Sequence, residues 1–252
     1  MPVRDLSQST AVVTGASRGF GRAAAVALAE RGARVVGVAR HATLLAELHD
    51  ELGDAFVPEV ADVTDPALPG RLFSSYRPTT VVLNAGAAPP IGTLAEQSWE
   101  SFSTNWSVDV QQVFNFSREA LLAPLDHGSV VVSLSSGAAL RGSPMSGGYA
   151  GAKATVRLIS SYARSESERS GLGVRFVSLL PPLTSATALG MAGVGAYAGR
   201  AGISVEQFLE RLGRTPTADE VASVVVDLAT DDEHAAPAYA LSPAGELQPL
   251  DF

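Results

Sequence analysis

A chain of 252 residues that is 46% hydrophobic and only 17% charged has the apolar content for a large buried core and too little charge for a disordered one. The net charge of −8, with no basic run, argues against nucleic acid as a partner, and the absence of cysteine excludes disulfides and thiolate chemistry. The opening stretch MPVRDLSQST lacks an apolar signal region and no run of about 18 apolar residues occurs, so a cytoplasmic protein without a membrane partner is expected.

Val-rich, mostly continuous apolar runs at 11–13, 34–38, 55–60, 80–83, 129–134 and 174–180 predict strands buried on both faces, as in a parallel sheet; 238–241 is a candidate last strand. Helical patterns lie between them at 20–31, 43–52, 66–76, 97–122, 149–170 and 218–229. This order predicts an α/β fold: a single doubly wound Rossmann-type domain over 1–252, with a mostly parallel six- or seven-stranded sheet and helices on both faces. One segment departs from the alternation. Residues 181–214 are rich in Gly, Ala, Ser and Thr, with two weak helical pieces at 186–197 and 205–212. They follow the sixth strand at the carboxyl edge of the sheet, where such folds bind ligands, and read as a substrate loop or lid.

The first strand runs into Thr14-Gly15-Ala16-Ser17-Arg18-Gly19-Phe20-Gly21 and then a helix. Glycines at this point let a diphosphate approach the backbone, and the helix start offers it N–H groups and a positive dipole end. Strand two ends in Ala39-Arg40, with no carboxylate to hold a ribose 2′-hydroxyl. Arg18 and Arg40 instead suit a 2′-phosphate, so NADP(H) is favoured over NAD(H). Asp62-Val63, after strand three, is expected near the adenine, and Asn84-Ala85-Gly86, after strand four, keeps the cleft open.

The chain holds seventeen arginines and one lysine, Lys153, four residues after Tyr149. On a helix these two share a face, about 5–6 Å apart at Cβ, and a phenol beside an ammonium is a proton-transfer pair. Ser136, at the end of strand five, reaches the same sheet edge, and Asn105 in the preceding long helix is placed to reach the back of the pocket. The four scattered histidines (His41, His49, His127, His234) show no ligand spacing, so no metal is expected.

TGASRGFG, NAG at Asn84–Gly86, Asn105, Ser136 and YAGAK at Tyr149–Lys153 together resemble the short-chain dehydrogenase/reductase family over nearly the whole chain. The resemblance implies that Tyr149 donates the proton in carbonyl reduction and accepts it in alcohol oxidation. It implies that Lys153 binds the nicotinamide ribose and favours the phenolate, that Ser136 binds the substrate oxygen, and that Asn105 supports a water relay behind Lys153. Pro181 and Thr184 would meet the nicotinamide side of the cofactor. The expected activity is an NADP-dependent oxidoreductase (EC 1.1.1.-) acting on a small carbonyl or secondary alcohol, and family members commonly form homodimers or homotetramers. Three departures stand out: Pro181-Pro182 where the family has Pro-Gly, with Thr184 or Thr187 as the following threonine; Leu83-Asn84 where it has two asparagines; and a short segment at 65–79. A catalytically silent dinucleotide-binding protein, serving as redox sensor or assembly partner, is the alternative. An epimerase or dehydratase on the same scaffold is a third reading.

Overall fold

The computed structural model describes residues 4–231 and 234–251. Its strands are β1 (Thr10–Thr14), β2 (Arg34–Ala39), β3 (Phe56–Val60), β4 (Thr80–Leu83), β5 (Val130–Leu134), β6 (Arg175–Leu180), β7 (Ala238–Leu241) and β8 (Leu247–Leu250). They form one sheet in the order β3-β2-β1-β4-β5-β6-β7-β8, parallel except for β8, which pairs antiparallel with β7. The winding therefore reverses between β1 and β4, and a crevice opens beyond their carboxyl ends.

Among the described residues, ten α-helices connect the strands: α1 (Gly19–Glu30), α2 (Ala42–Leu52), α3 (Leu68–Tyr76), α4 (Trp99–Phe102), α5 (Gln111–Leu122), α6 (Ala138–Arg141), α7 (Gly147–Ser170), α8 (Ala188–Ala201), α9 (Val205–Leu212) and α10 (Ala218–Thr230). The two-residue alternation of a strand sends successive side chains to opposite faces. Ala11, Val13, Val130 and Val132 pack with Leu28 of α1, Leu45 of α2 and Leu228 of α10. Val12 and Val131 pack with Leu72 of α3, Phe116 of α5 and Val156 of α7. Two apolar layers, one per face, are the reason the strand sequences read as unbroken hydrophobic runs. Among the described residues, no helix is long and apolar enough to cross a membrane.

Two elements differ from the sequence expectation. The stretch 97–122 is not one helix. The Ser98 hydroxyl caps α4, which ends at Phe102; a π-helical turn follows at Trp106–Val110 and only then α5 begins. Both Asp109 N–H and Val110 N–H reach the Asn105 carbonyl, at 2.8 and 3.3 Å, so one residue is accommodated without advancing the turn. The sheet also has an eighth strand. Leu247–Leu250 is exposed in its middle and contains Pro249, a residue tolerated in strands at sheet edges. The opposite edge strand, β3, likewise contains Pro58.

Candidate active site

The glycine turn and the Asn84 turn are stitched together where the sheet reverses. The Thr14 hydroxyl accepts hydrogen bonds from the Asn84 and Ala85 N–H groups at 3.0 and 3.1 Å. The Asn84 side-chain amide donates back to the Thr14 carbonyl at 3.1 Å. Gly15 holds φ +68°, and a Cβ there would stand 2.7 Å from the Asn84 amide nitrogen, so only glycine lets the two turns close on each other. Ser17 is buried, Phe20 is half-buried against the core layer of α1, α2 and α10, and Gly21 is buried under the turn.

Arg18 stands at the N-cap of α1 in extended conformation, and its side chain makes no capping hydrogen bond. The first-turn N–H groups of α1 are thus left for an anion, which fits a dinucleotide's diphosphate. Arg18 and Arg40 are both exposed at this edge. Asp62, after β3, is exposed, and Val63 is buried beneath it. The Thr64 N–H and hydroxyl, each hydrogen-bonded to Asp62, hold its carboxyl below the usual carboxylate value, with a smaller contribution from the nearby Arg40 charge.

Tyr149 and Lys153 lie one turn apart on α7. The Lys153 ammonium sits over the Tyr149 ring, 5.7 Å from its centroid. Lys153 is buried and donates to the Leu134 carbonyl at 3.0 Å, while Tyr149 is half-exposed. The Ser135 hydroxyl donates to the Lys153 carbonyl at 2.7 Å, fastening α7 to the end of β5. Ser136 is half-exposed beside it, and its hydroxyl accepts the Ala138 N–H at 3.2 Å.

Asn105 is buried at the start of the π turn. Its amide donates to the Ala87 carbonyl at 2.9 Å and to Asp109 Oδ1 at 3.3 Å. Asp109 is the residue that reaches the lysine: Asp109 Oδ2 lies 3.1 Å from Lys153 Nζ, and the two side chains are 1% and 8% exposed. Oδ1 of the same carboxylate accepts the Ala87 N–H at 2.9 Å. Gly86 makes room for this, since a Cβ there would lie 2.8 Å from Asp109 Oδ2. Burial opposes the Lys153 charge, but the Asp109 carboxylate, and after it Tyr149, outweigh burial and hold Lys153 above the ordinary lysine value. The signal for Asp109 in the sequence is a lone acid among Trp106, Val108, Val110 and Val113, where an inward-facing position should be apolar.

The segment 181–214 contains α8 and α9. Pro181 is buried, and its carbonyl accepts the Gly137 N–H at 2.8 Å. Thr184 is also buried, and its hydroxyl donates to the Pro216 carbonyl at 2.7 Å. Thr187, which caps α8, faces the glycine turn: a Cβ on Gly19 would stand 3.6 Å from its methyl group. Tyr197 of α8 shares a 2.5 Å hydrogen bond with the Ser143 hydroxyl, which in turn meets Ser146 at 2.6 Å, just before α7. Helix α8 is thus tied to the loop that leads into α7.

Comparison with known proteins shows the family to which the chain belongs. The family described as short chain dehydrogenase matches residues 9–197. A short-chain type dehydrogenase/reductase of Picea abies is 30% identical, over 90% of this chain and 88% of its own length. Serine 3-dehydrogenase of Rhizobium radiobacter is 33% identical, over 68% of this chain and 70% of its own. A solved 3-ketoacyl-(acyl-carrier-protein) reductase from Brucella melitensis, complexed with NADH, superposes with a TM-score of 0.77 at 22% identity, covering 95% of this chain and 99% of that one. The chain belongs to the short-chain dehydrogenase/reductase family, whose chemistry is oxidoreduction.

Proposed function

We propose that this chain is a cytoplasmic NADP(H)-dependent oxidoreductase that interconverts a small carbonyl compound and its secondary alcohol. One observation carries the reading: the chain's only lysine is buried one helical turn from Tyr149, its ammonium 5.7 Å from the phenol ring and hydrogen-bonded to the carboxyl end of β5. Tyr149 is the proton donor in reduction and the acceptor in oxidation. Ser136 orients the substrate oxygen toward the phenol, and Lys153 biases the phenol by its charge.

The nicotinamide dinucleotide supplies the hydride when bound. The residues that would hold it are the α1 amino terminus with Thr14, Gly15, Ser17, Gly19, Phe20 and Gly21, the Asn84–Gly86 turn, Asp62 and Val63 on the adenine side, and Tyr149 and Lys153 at the ribose. Arg18 and Arg40 would take the 2′-phosphate, which favours NADP(H) over NAD(H). Pro181 would bound the nicotinamide side. The Thr184 hydroxyl is engaged with Pro216, and this supports Thr187 as the threonine nearer the diphosphate. Residues 181–214 act as the substrate lid. Exposed Phe114, Leu158 and Tyr162 on α5 and α7 support a homodimer or homotetramer built on those helices.

Absorbance of NADPH, followed with a panel of ketones, aldehydes and β-ketoacyl thioesters, tests the assignment. Turnover that is lost in Tyr149→Phe, with NADPH binding retained, is expected. Binding without turnover on any substrate would instead favour a silent dinucleotide-binding protein. Product formation with no net cofactor consumption would point to an epimerase or dehydratase.

A further inference from the structure

We propose that Asp109 is a positioning residue for proton transfer: by pairing with Lys153 it offsets the ammonium's charge and keeps the Tyr149 phenol in its proton-donating form to higher pH, which adapts the site to carbonyl reduction. The inference rests on the oxidoreductase reading above and concerns the charge balance of the same site.

The geometry carries it. The Asp109 carboxylate is fixed from three sides, by the Ala87 N–H, the Asn105 amide and the Lys153 ammonium. It is nearly fully buried, so its charge acts through little solvent. The π turn is what brings it there, because the extra residue turns the Asp109 side chain toward the Gly86 backbone and the end of β5. A lone ammonium beside a phenol stabilises the phenolate; an ammonium that already carries a carboxylate at 3.1 Å does so much less.

The surroundings leave few other contributors. From α7 comes Tyr149, from the π turn Asp109, and from β5 only the Leu134 carbonyl and the Ser135 hydroxyl. From α6 the charged group is Arg141, exposed at the helix end; from α5, Gln112 faces inward with its amide on the Ala85 carbonyl. Among the described residues, Asp109 and Tyr149 are the ionisable groups that act on Lys153.

Asp109→Asn removes the charge at nearly constant shape. Two readouts are taken on it. The first is the pH dependence of kcat in both directions. The second is the tyrosinate ultraviolet absorbance of the protein without substrate, with the Tyr149→Phe signal subtracted. Both midpoints should move to lower pH by about one unit, the size expected when one charge near an ionising group is deleted. Alcohol oxidation then gains at neutral pH, carbonyl reduction fails earlier on the alkaline side, and the substrate KM changes little. Asp109→Glu keeps the charge and should restore the wild-type midpoints. Should Asp109→Asn not fold, Asp109→Ser carries the same readouts.

Midpoints that stay in place while kcat and thermal stability fall together would overturn the proposal and leave Asp109 a purely structural residue. A glutamate variant shifted as far as the asparagine one would overturn it as well. Because the absorbance readout needs no turnover, an inactive wild type with a shifted midpoint would refute the oxidoreductase reading while sustaining the charge balance.

Discussion

Arg40→Ala tests the cofactor assignment most directly. Arg40 follows β2 and is exposed, so its removal should leave folding within about 0.5 kcal/mol of wild type. A charge-assisted hydrogen bond contributes roughly 1.5–3 kcal/mol. Solvent exposure puts Arg40 at the low end of that range, because exposed charge pairs are screened. The Asp62 carboxylate, close enough to sense the Arg40 charge, also opposes a phosphate at this point. NADPH affinity should therefore fall roughly tenfold, about 1.4 kcal/mol. NADH has no 2′-phosphate, and its affinity should change by less than about twofold. Fluorescence titration with both nucleotides measures this, and the NADPH loss should shrink as salt is raised past roughly 0.1 M. Arg18→Ala should behave the same way, and the double variant should approach the sum of the two, since each guanidinium would reach the phosphate from a different turn. Equal weakening of NADPH and NADH, or no change in either, would refute the assignment of these arginines to a 2′-phosphate.

Gly86→Ala should place a methyl group 2.8 Å from Asp109 Oδ2 and lower stability by about 1–3 kcal/mol, as overpacking does, with loss of turnover; a urea titration and an activity assay read both. Phe116→Ala empties a fully buried site packed edge-on against Phe73 and should lower stability by about 3–5 kcal/mol without changing cofactor preference, as thermal melts with each nucleotide would report. Lys153 is held above its usual value in the folded protein. Its share of stability is therefore complete below the unfolded value of 10.5 and is lost as pH rises through the higher folded value. The stability gap between wild type and Lys153→Met, measured by urea midpoints, should stay constant at neutral pH and begin to narrow once pH passes 10.5.

Local signals carried well from sequence to structure. The glycine turn at 14–21 and the Tyr149–Lys153 pair depend on neighbours within one or two turns of chain, so spacing alone exposes them. The strand runs were legible because both faces of the sheet are covered, which leaves no polar alternation to blur them. Asp109 was not legible in the same way. Its partner lies on a distant helix, and a reading at 3.6 residues per turn continues straight through 106–110 without showing the extra residue of the π turn. Asn105, which the sequence set near the same pocket, stands at the start of that π turn, and its amide donates to the Ala87 carbonyl and to Asp109. Strand β8 escaped notice because an exposed strand with a central proline lacks the apolar run that marked the others.

The two prolines at the sheet margins have a consequence for how copies of this chain can meet. The Ala61 N–H bonds inward to Ala39, and by the two-residue alternation the nitrogen of Pro58 points outward from β3. On the other margin the Ser242 N–H bonds the Glu246 carbonyl, which by the same count turns the nitrogen of Pro249 away from β7. Each outer rim thus lacks a donor near its middle, where an incoming strand would need one. Fibril-like growth by strand addition is therefore interrupted at both ends of the sheet.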